Sequence, residues 1–244
     1  LEVYRPTKMR DGTALAIVEK LQPELTVVAA YGRILPEDIL AVPPRGSINV
    51  HSSILPQYRG AAPINWAILD GCKETGVTIM HMAKELDAGD IICVKKTEIL
   101  PDENAQELTH RLALLGADAL EEAVAQLANG TAARTPQDHS AFTYAPMLSK
   151  ELSPMDWNKP AQKLHNQVRG LIPWPCASTE LGGKKVKVFK TKLGRETNAE
   201  AGTKGLEIAC GDGCSLWILE MQAEGGKRMM AADYLRGHPI ETGK

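Results

Sequence analysis

The chain has 244 residues and carries 28 Lys and Arg against 30 Asp and Glu, a formal net charge of −2, with ordinary apolar and charged fractions. That length allows one large domain or two modest ones, each with a buried core. The near-neutral balance excludes a globally polycationic nucleic-acid binder, and no apolar run approaches the roughly 20 residues that span a bilayer. The opening LEVYRPTKMRDG lacks the apolar stretch of a signal peptide, so no membrane partner is expected. Five scattered cysteines argue against a disulfide framework and for a reducing, cytoplasmic setting. Cys210 and Cys214 have no second Cys or His pair nearby, so no zinc site is expected.

In chain order, residues 13–21 read as a helix with apolar positions Leu15, Ile17, Val18 and Leu21, stopped by Pro23. Residues 25–31 form a continuous apolar run of strand length, the pattern of a buried parallel strand. Pro36 opens a short helix to Leu40. A second strand spans 47–50, a Pro-initiated helix 63–69, a third strand 76–82 and a fourth 91–99. Residues 104–127 read as a long amphipathic helix stopped by Asn129-Gly130. Strands separated by helices predict a Rossmann-like α/β layer with a mostly parallel sheet over residues 1–130.

Residues 131–150 lose periodicity, are broken by Pro136 and Pro146, and read as a linker. One helix over 159–169 then leads into short strands punctuated by Gly182-Gly183, Gly205, Gly211, Gly213 and Gly225-Gly226. Residues 151–244 are therefore expected to form a small β-rich domain, a barrel or a sandwich, with an OB-like β-barrel the form expected. Charge is divided between the two regions. Up to Lys150 there are 14 basic against 19 acidic residues; from Glu151 onward there are 14 against 11. Six basic residues and no acidic one lie in 184–195, a hint of nucleic-acid contact that a solvated strand face would equally explain.

The densest chemistry lies in SINVHSSILPQYRGAAP, residues 47–63. On a strand, Asn49 and His51 share a face, and His51 stands at the strand's carboxyl end, where α/β sheets bind ligands. A second polar cluster, residues 85–90 with Asp87 and Asp90, follows the third strand and should open at the same edge. An amide, an imidazole and a carboxylate suit acyl transfer. Asn and His donors can stabilise an oxyanion, and a carboxylate or His can relay the proton of an attacking amine. Other readings stay open on spacing alone. Asn49 and His51 could be a structural hydrogen-bonding pair, and Asp87 a turn residue. Ser52 and Ser53 beside His51 invite a serine hydrolase, although G-x-S-x-G is absent. His51 with Asp87 and Asp90 could hold a metal of undefined ligand count. His81 reads as a packed strand residue.

INVHSSILPQYRGAAPI and GVTIMHMAKELDAGDII strongly resemble the two core motifs of the folate-dependent formyltransferases, in order and at the right separation. The likeness extends through AAYGRILP and the long helix. In the second half, TYAPMLSKELSPMDW, VRGLIPWPCA and the tail GDGCSLWILEMQAEGGKRMMAADYLRG resemble the branch whose acceptor is the methionine of initiator methionyl-tRNA, so the resemblance covers nearly the whole chain. The family pattern opens with a strand, a Gly-containing loop, a helix and a second strand, including a loop that grips tRNA. This chain starts without a Met, midway into that pattern, and is expected to be an incomplete piece.

Position by position, the resemblance implies that Asn49, His51 and Asp87 are catalytic. It implies that Ser53, Ile54, Leu55 and Pro56 line the folate, with Tyr31, Gly32, Ile34 and Leu35 flanking the pterin pocket. The implied donor is 10-formyltetrahydrofolate, with no metal. The basic residues Lys184, Lys185, Lys187, Lys190, Lys192 and Arg195, with Lys227 and Arg228, are the expected tRNA contacts, and Lys150 the guide for the acceptor end. A sugar-nucleotide N-formyltransferase with the same trio, and a non-catalytic RNA-binding protein on the same scaffold, are the alternatives.

Overall fold

The computed structural model describes residues 2–194 and 205–238. The chain divides into two compact units. One is built from Leu1–Pro63, Glu74–Glu98 and His110–Met147, the other from Ile64–Lys73, Ile99–Thr109 and Leu148–Lys244. Among the described residues no helix is long and apolar enough to cross a membrane.

The first segment holds α1 (Thr13–Leu21), β1 (Thr26–Ala29), α2 (Glu37–Leu40), β2 (Ser47–His51) and β3 (Arg59–Gly60). Then come α3 (Pro63–Leu69), β4 (Glu74–His81), β5 (Ile91–Glu98), the long α4 (Ala105–Asn129) and β6 (Tyr144–Ala145). A capping box starts α4. The Asn104 side chain accepts from the Gln106 and Glu107 amides at 2.9 and 3.0 Å, while Glu107 accepts from the Asn104 amide at 2.9 Å.

The first unit's sheet has the order β1-β2-β4-β5. Ile48, Val77 and Ile79 are fully buried in it. Gly116 lets α4 lie close against the sheet, because a Cβ there would come within 3.2 Å of the Val50 side chain. The α/β class holds, but the expectation of a mostly parallel sheet does not describe these strands. β1 and β2 are parallel, whereas β2/β4 and β4/β5 are antiparallel. The link from β4 to β5 is residues 82–90 with no helix, and a parallel return needs a crossover of a dozen or more residues. β1 is paired on one side only among the described strands, and its residues alternate between half-buried and exposed. That replaces the continuous burial its apolar run suggested.

The second unit adds a 3-10 turn (Lys150–Leu152), α5 (Ala161–Gly170), β7 (Ala177–Leu181) and β8 (Lys184–Leu193). It continues with β9 (Leu206–Ala209), β10 (Ser215–Ala223), β11 (Met229–Met230) and α6 (Ala231–Gly237). These strands form one antiparallel sheet. β10 takes β8 along one edge, and β9 then β11 along the other. The expected barrel does not close among the described residues, where the sheet is open between β7 and the β9/β11 edge. Helices cover its apolar side instead. Leu164 and Val168 of α5 and Ala231 and Tyr234 of α6 share one buried cluster with Val186, Val188, Leu216, Ile218 and Met221.

Candidate active site

β2 carries Asn49 and His51 to the edge of its sheet, opposite Met80 and Thr78 of β4. β1 and β2 are parallel and adjacent, with Ala29 beside Val50. The loops that leave their carboxyl ends, after Ala29 and after His51, therefore open on the same edge. Asp87 comes from the loop after β4, with φ of 51°. Its Oδ2 accepts the Gly60 amide at 2.9 Å. Its Oδ1 lies 3.5 Å from Asn49 Nδ2, and its Oδ2 lies 3.6 Å from His51 Nδ1. The three residues that spacing placed on one edge are thus brought together.

His51 is only 5% exposed. Its Nε2 lies 2.9 Å from the Tyr58 carbonyl, which can only accept, so Nε2 carries the hydrogen. Nδ1 is left as the ring nitrogen facing the carboxylate. This arrangement presents an amide, an imidazole and a carboxylate in a largely desolvated corner, where donors act strongly on developing charge.

The loop after His51 is fixed by its own bonds. Ser53 Oγ donates to the Gln57 carbonyl at 2.6 Å, so its proton is not offered to His51. Thr78 Oγ1 donates to the Ser53 carbonyl at 2.7 Å and accepts from the Leu55 amide at 3.2 Å. The Ser53 and Leu55 side chains are buried, and Ile54 and Pro56 are half-buried. Of the other expected folate residues, Tyr31 and Ile34 are 46% and 69% exposed, Gly32 is exposed and Leu35 is half-buried. Tyr31 and Leu35 line a cavity of about 260 Å³ together with Tyr4, Met9 and Ile39.

Three residues of this site are not among those expected from the sequence, although Thr78 and Gly60 lie within its two motifs. Thr78 braces the His51 loop, Gly60 holds Asp87, and Gln137, from the segment read as a linker, donates to the Asp87 and Gly89 carbonyls at 2.8 Å each. Asp90 faces Arg134 at 3.8 Å and is not in the trio. His81 is buried with an unpartnered Nε2, and desolvation, aided by Arg134, lowers its pKa. It is a packed strand residue.

In the second unit, Lys184, Lys185, Lys187 and Lys190 are exposed along β8, Lys192 is half-buried, and Val186, Val188 and Thr191 are buried. A register shift between Val188 and Lys190, opposite Met221 and Glu220, moves Lys190 to the outer side with Lys185 and Lys187. Arg228 is differently placed. It makes two bonds to the Glu220 carboxylate at 2.7 and 2.8 Å and lies 4.3 Å over the Phe189 ring. Arg228 in turn holds the Glu220 carboxyl below its ordinary pKa. Lys227 and Lys150 are exposed, and Arg195 lies outside the described residues. Burial raises the Cys93, Cys176 and Cys210 thiols above the ordinary range, which favours inert cysteines.

A strand-end amide, imidazole and carboxylate on an α/β sheet, followed by a separate antiparallel domain, define an acyl-transfer enzyme of the formyltransferase kind. The chain belongs to the formyl transferase family: the family's N-terminal pattern matches residues 2–124 and its C-terminal domain pattern residues 147–239. Among its relatives, the methionyl-tRNA formyltransferase of Trichlorobacter lovleyi is 46% identical across all of this chain and 78% of the relative. That of Acetivibrio thermocellus is 42% identical across all of this chain and 81% of the relative. Among solved structures, HypX from Aquifex aeolicus in complex with tetrahydrofolic acid aligns with a TM-score of 0.69 at 22% identity, over 91% of this chain and 40% of that one. The sugar 3N-formyl transferase WlaRD aligns with a TM-score of 0.66 at 18% identity, over 82% of this chain and 74% of that one. These two show a shared fold.

Proposed function

We propose that this chain transfers the formyl group of 10-formyltetrahydrofolate to the α-amino group of methionine on initiator methionyl-tRNA, in the cytoplasm and without a metal. The observation that carries this reading is the likeness of the whole chain to methionyl-tRNA formyltransferases, at 42% to 46% identity. Residues 1–130 would form the catalytic part, 131–150 the connection and 151–244 the tRNA-binding part.

The amine nitrogen attacks the formyl carbon and the carbonyl oxygen takes up negative charge. The bond to the folate nitrogen then breaks, and the amine's proton passes to that nitrogen. Asn49 stabilises the oxygen, as does His51 through Nδ1 once that nitrogen has taken the amine's proton, and Asp87, 3.6 Å from Nδ1, helps pass the proton on to the folate nitrogen. The Tyr58 carbonyl shares with Asp87 the task of orienting the ring. The folate lies along the loops of residues 31–35 and 53–56. Exposed Lys185, Lys187 and Lys190, with Lys184, Lys227 and Lys150, meet the RNA phosphates. Arg228, engaged by Glu220, contributes less.

The deciding experiment incubates the chain with 10-formyltetrahydrofolate and methionyl initiator tRNA, following formyl-methionyl-tRNA and donor loss together. Product in step with donor loss is the expected result. Donor loss without product would overturn the acceptor, and transfer to a dTDP-amino sugar instead would assign the sugar-nucleotide reading.

A further inference from the structure

Gln137 lies beyond α4 in the segment whose composition reads as a linker, yet it is only 5% exposed. Its side-chain amide works in two directions. The nitrogen donates to two main-chain carbonyls of one loop, Asp87 and Gly89, at 2.8 Å each. The oxygen accepts Nε and Nη2 of Arg59 at 3.0 and 2.6 Å. Arg59 is itself 6% exposed, with its guanidinium 5.1 Å from the Phe142 ring and Nη2 at 3.5 Å from His139 Nδ1. The next residue, Gly60, gives its amide to the Asp87 carboxylate. β3 therefore grips the Asp87 loop twice: Gly60 holds the carboxylate, and Arg59, through Gln137, holds the loop's main chain.

The loop needs such a grip. Asp87 holds a left-handed φ that a residue with a Cβ disfavours. Two loop carbonyls point inward at the same place, where unpaired they would resist burial. An amide NH₂ answers both, and its oxygen is free to accept from a cation behind it. A Glu of the same size would keep the Arg59 interaction but set a carboxylate against two carbonyls, and an Asn would not reach.

We propose that Gln137 is a positioning residue for formyl transfer, holding the Asp87 loop so that the carboxylate faces Asn49 and His51, with Arg59 fixing Gln137 in turn. This rests on the role given to Asp87 above, and it makes the segment after α4 part of the catalytic machinery.

The test is Gln137→Glu in the full chain, with two readouts. In hydrogen exchange, the amides of residues 86–90 should exchange at least about tenfold faster while those of β4 and β5 keep their rates. In steady-state formylation, kcat should fall about 10- to 100-fold, with both KM values within about threefold, because the loss is one of alignment. Arg59→Lys, which keeps the charge but not the two-pronged hold, should show the same pattern more weakly, and it decides the matter if Gln137→Glu does not fold. Unchanged exchange in 86–90 would overturn the proposal. So would a kcat loss matched by KM rises and by weakened protection throughout β4 and β5. If the unsubstituted chain makes no formyl-methionyl-tRNA, the reaction assignment falls, and the exchange result alone decides whether Gln137 holds this loop.

Discussion

At the Asp87 loop the protein answers polar groups from within: Gly60 for the carboxylate, Gln137 for two carbonyls, Tyr58 for the imidazole. Along the outer side of β8 the opposite holds. Lys184, Lys185, Lys187 and Lys190 reach into solvent, and their buried neighbours on the same strand, Val186 and Val188, have only apolar work. In the first region the bonded polar groups are largely buried, so each bond there sets geometry. The second is exposed and screened, so its charges act through their sum. A substitution should be severe and local in the first region and modest, additive and salt-sensitive in the second.

The largest expected effect comes from Asp87→Asn, which removes the proposed proton carrier while keeping the shape. Formyl transfer should fall by about 10²- to 10⁴-fold with the fold intact, measured as kcat/KM beside a circular dichroism melt. Activity within tenfold of the unsubstituted chain would remove Asp87 from the mechanism.

Next are the glycines that admit the loop. Gly60 has φ of +117°, and a Cβ there would come within 2.7 Å of the Ala145 carbonyl, while one at Gly89 would collide with the His81 carbonyl. Gly89→Ala should cost about 1–3 kcal/mol in urea unfolding, because the added methyl must push the His81 carbonyl aside. A loss below about 0.5 kcal/mol would show that the loop can give way.

A smaller effect is expected on β8. Lys185→Glu with Lys187→Glu should weaken tRNA binding, and should lower the slope of log affinity against log salt by about 2, one for each phosphate no longer neutralised. The formyl donor's KM should not change. Arg228→Ala should change the slope less than either lysine, since its charge is already matched by Glu220. An equal or greater change would place Arg228 on the RNA.

The smallest expected effect concerns His81. Its folded pKa lies below the ordinary 6.5 because burial disfavours the charged form. The stability tied to its neutral form is fully present above that value and is lost as pH falls below it towards the folded pKa. Urea midpoints at pH 7.5 and 5.5 should therefore differ more for the parent chain than for His81→Gln. Equal differences would mean that other groups set the acid sensitivity.

Much of this was legible from residue order. Period-two spacing put Asn49 and His51 on one face, and the polar run after GVTIMHM put Asp87 at the same sheet edge, because strand geometry is local. The long helix over 104–127 was legible for the same reason, since its apolar spacing is local. Strand direction was not legible in apolar content. The apolar content of β4 suited parallel or antiparallel pairing, and the shortness of residues 82–90 decided it. Nor was the register shift on β8, which turns Lys190 outward and depends on its partner strand β10.

By itself, then, the sequence determined the main helices and strands of the first part, the trio's residue types and the family, since these depend on spacings of a few residues and on motifs read in order. Tertiary structure alone decided what holds the trio. Gln137 looks like any polar residue between two prolines until the chain brings it against the Asp87 loop, 50 positions earlier. Arg59 looks like a surface charge until Gln137 and Phe142 enclose it. Hydrogen bonds between distant residues leave no periodic signature, because what they require is a donor and an acceptor at one point in space.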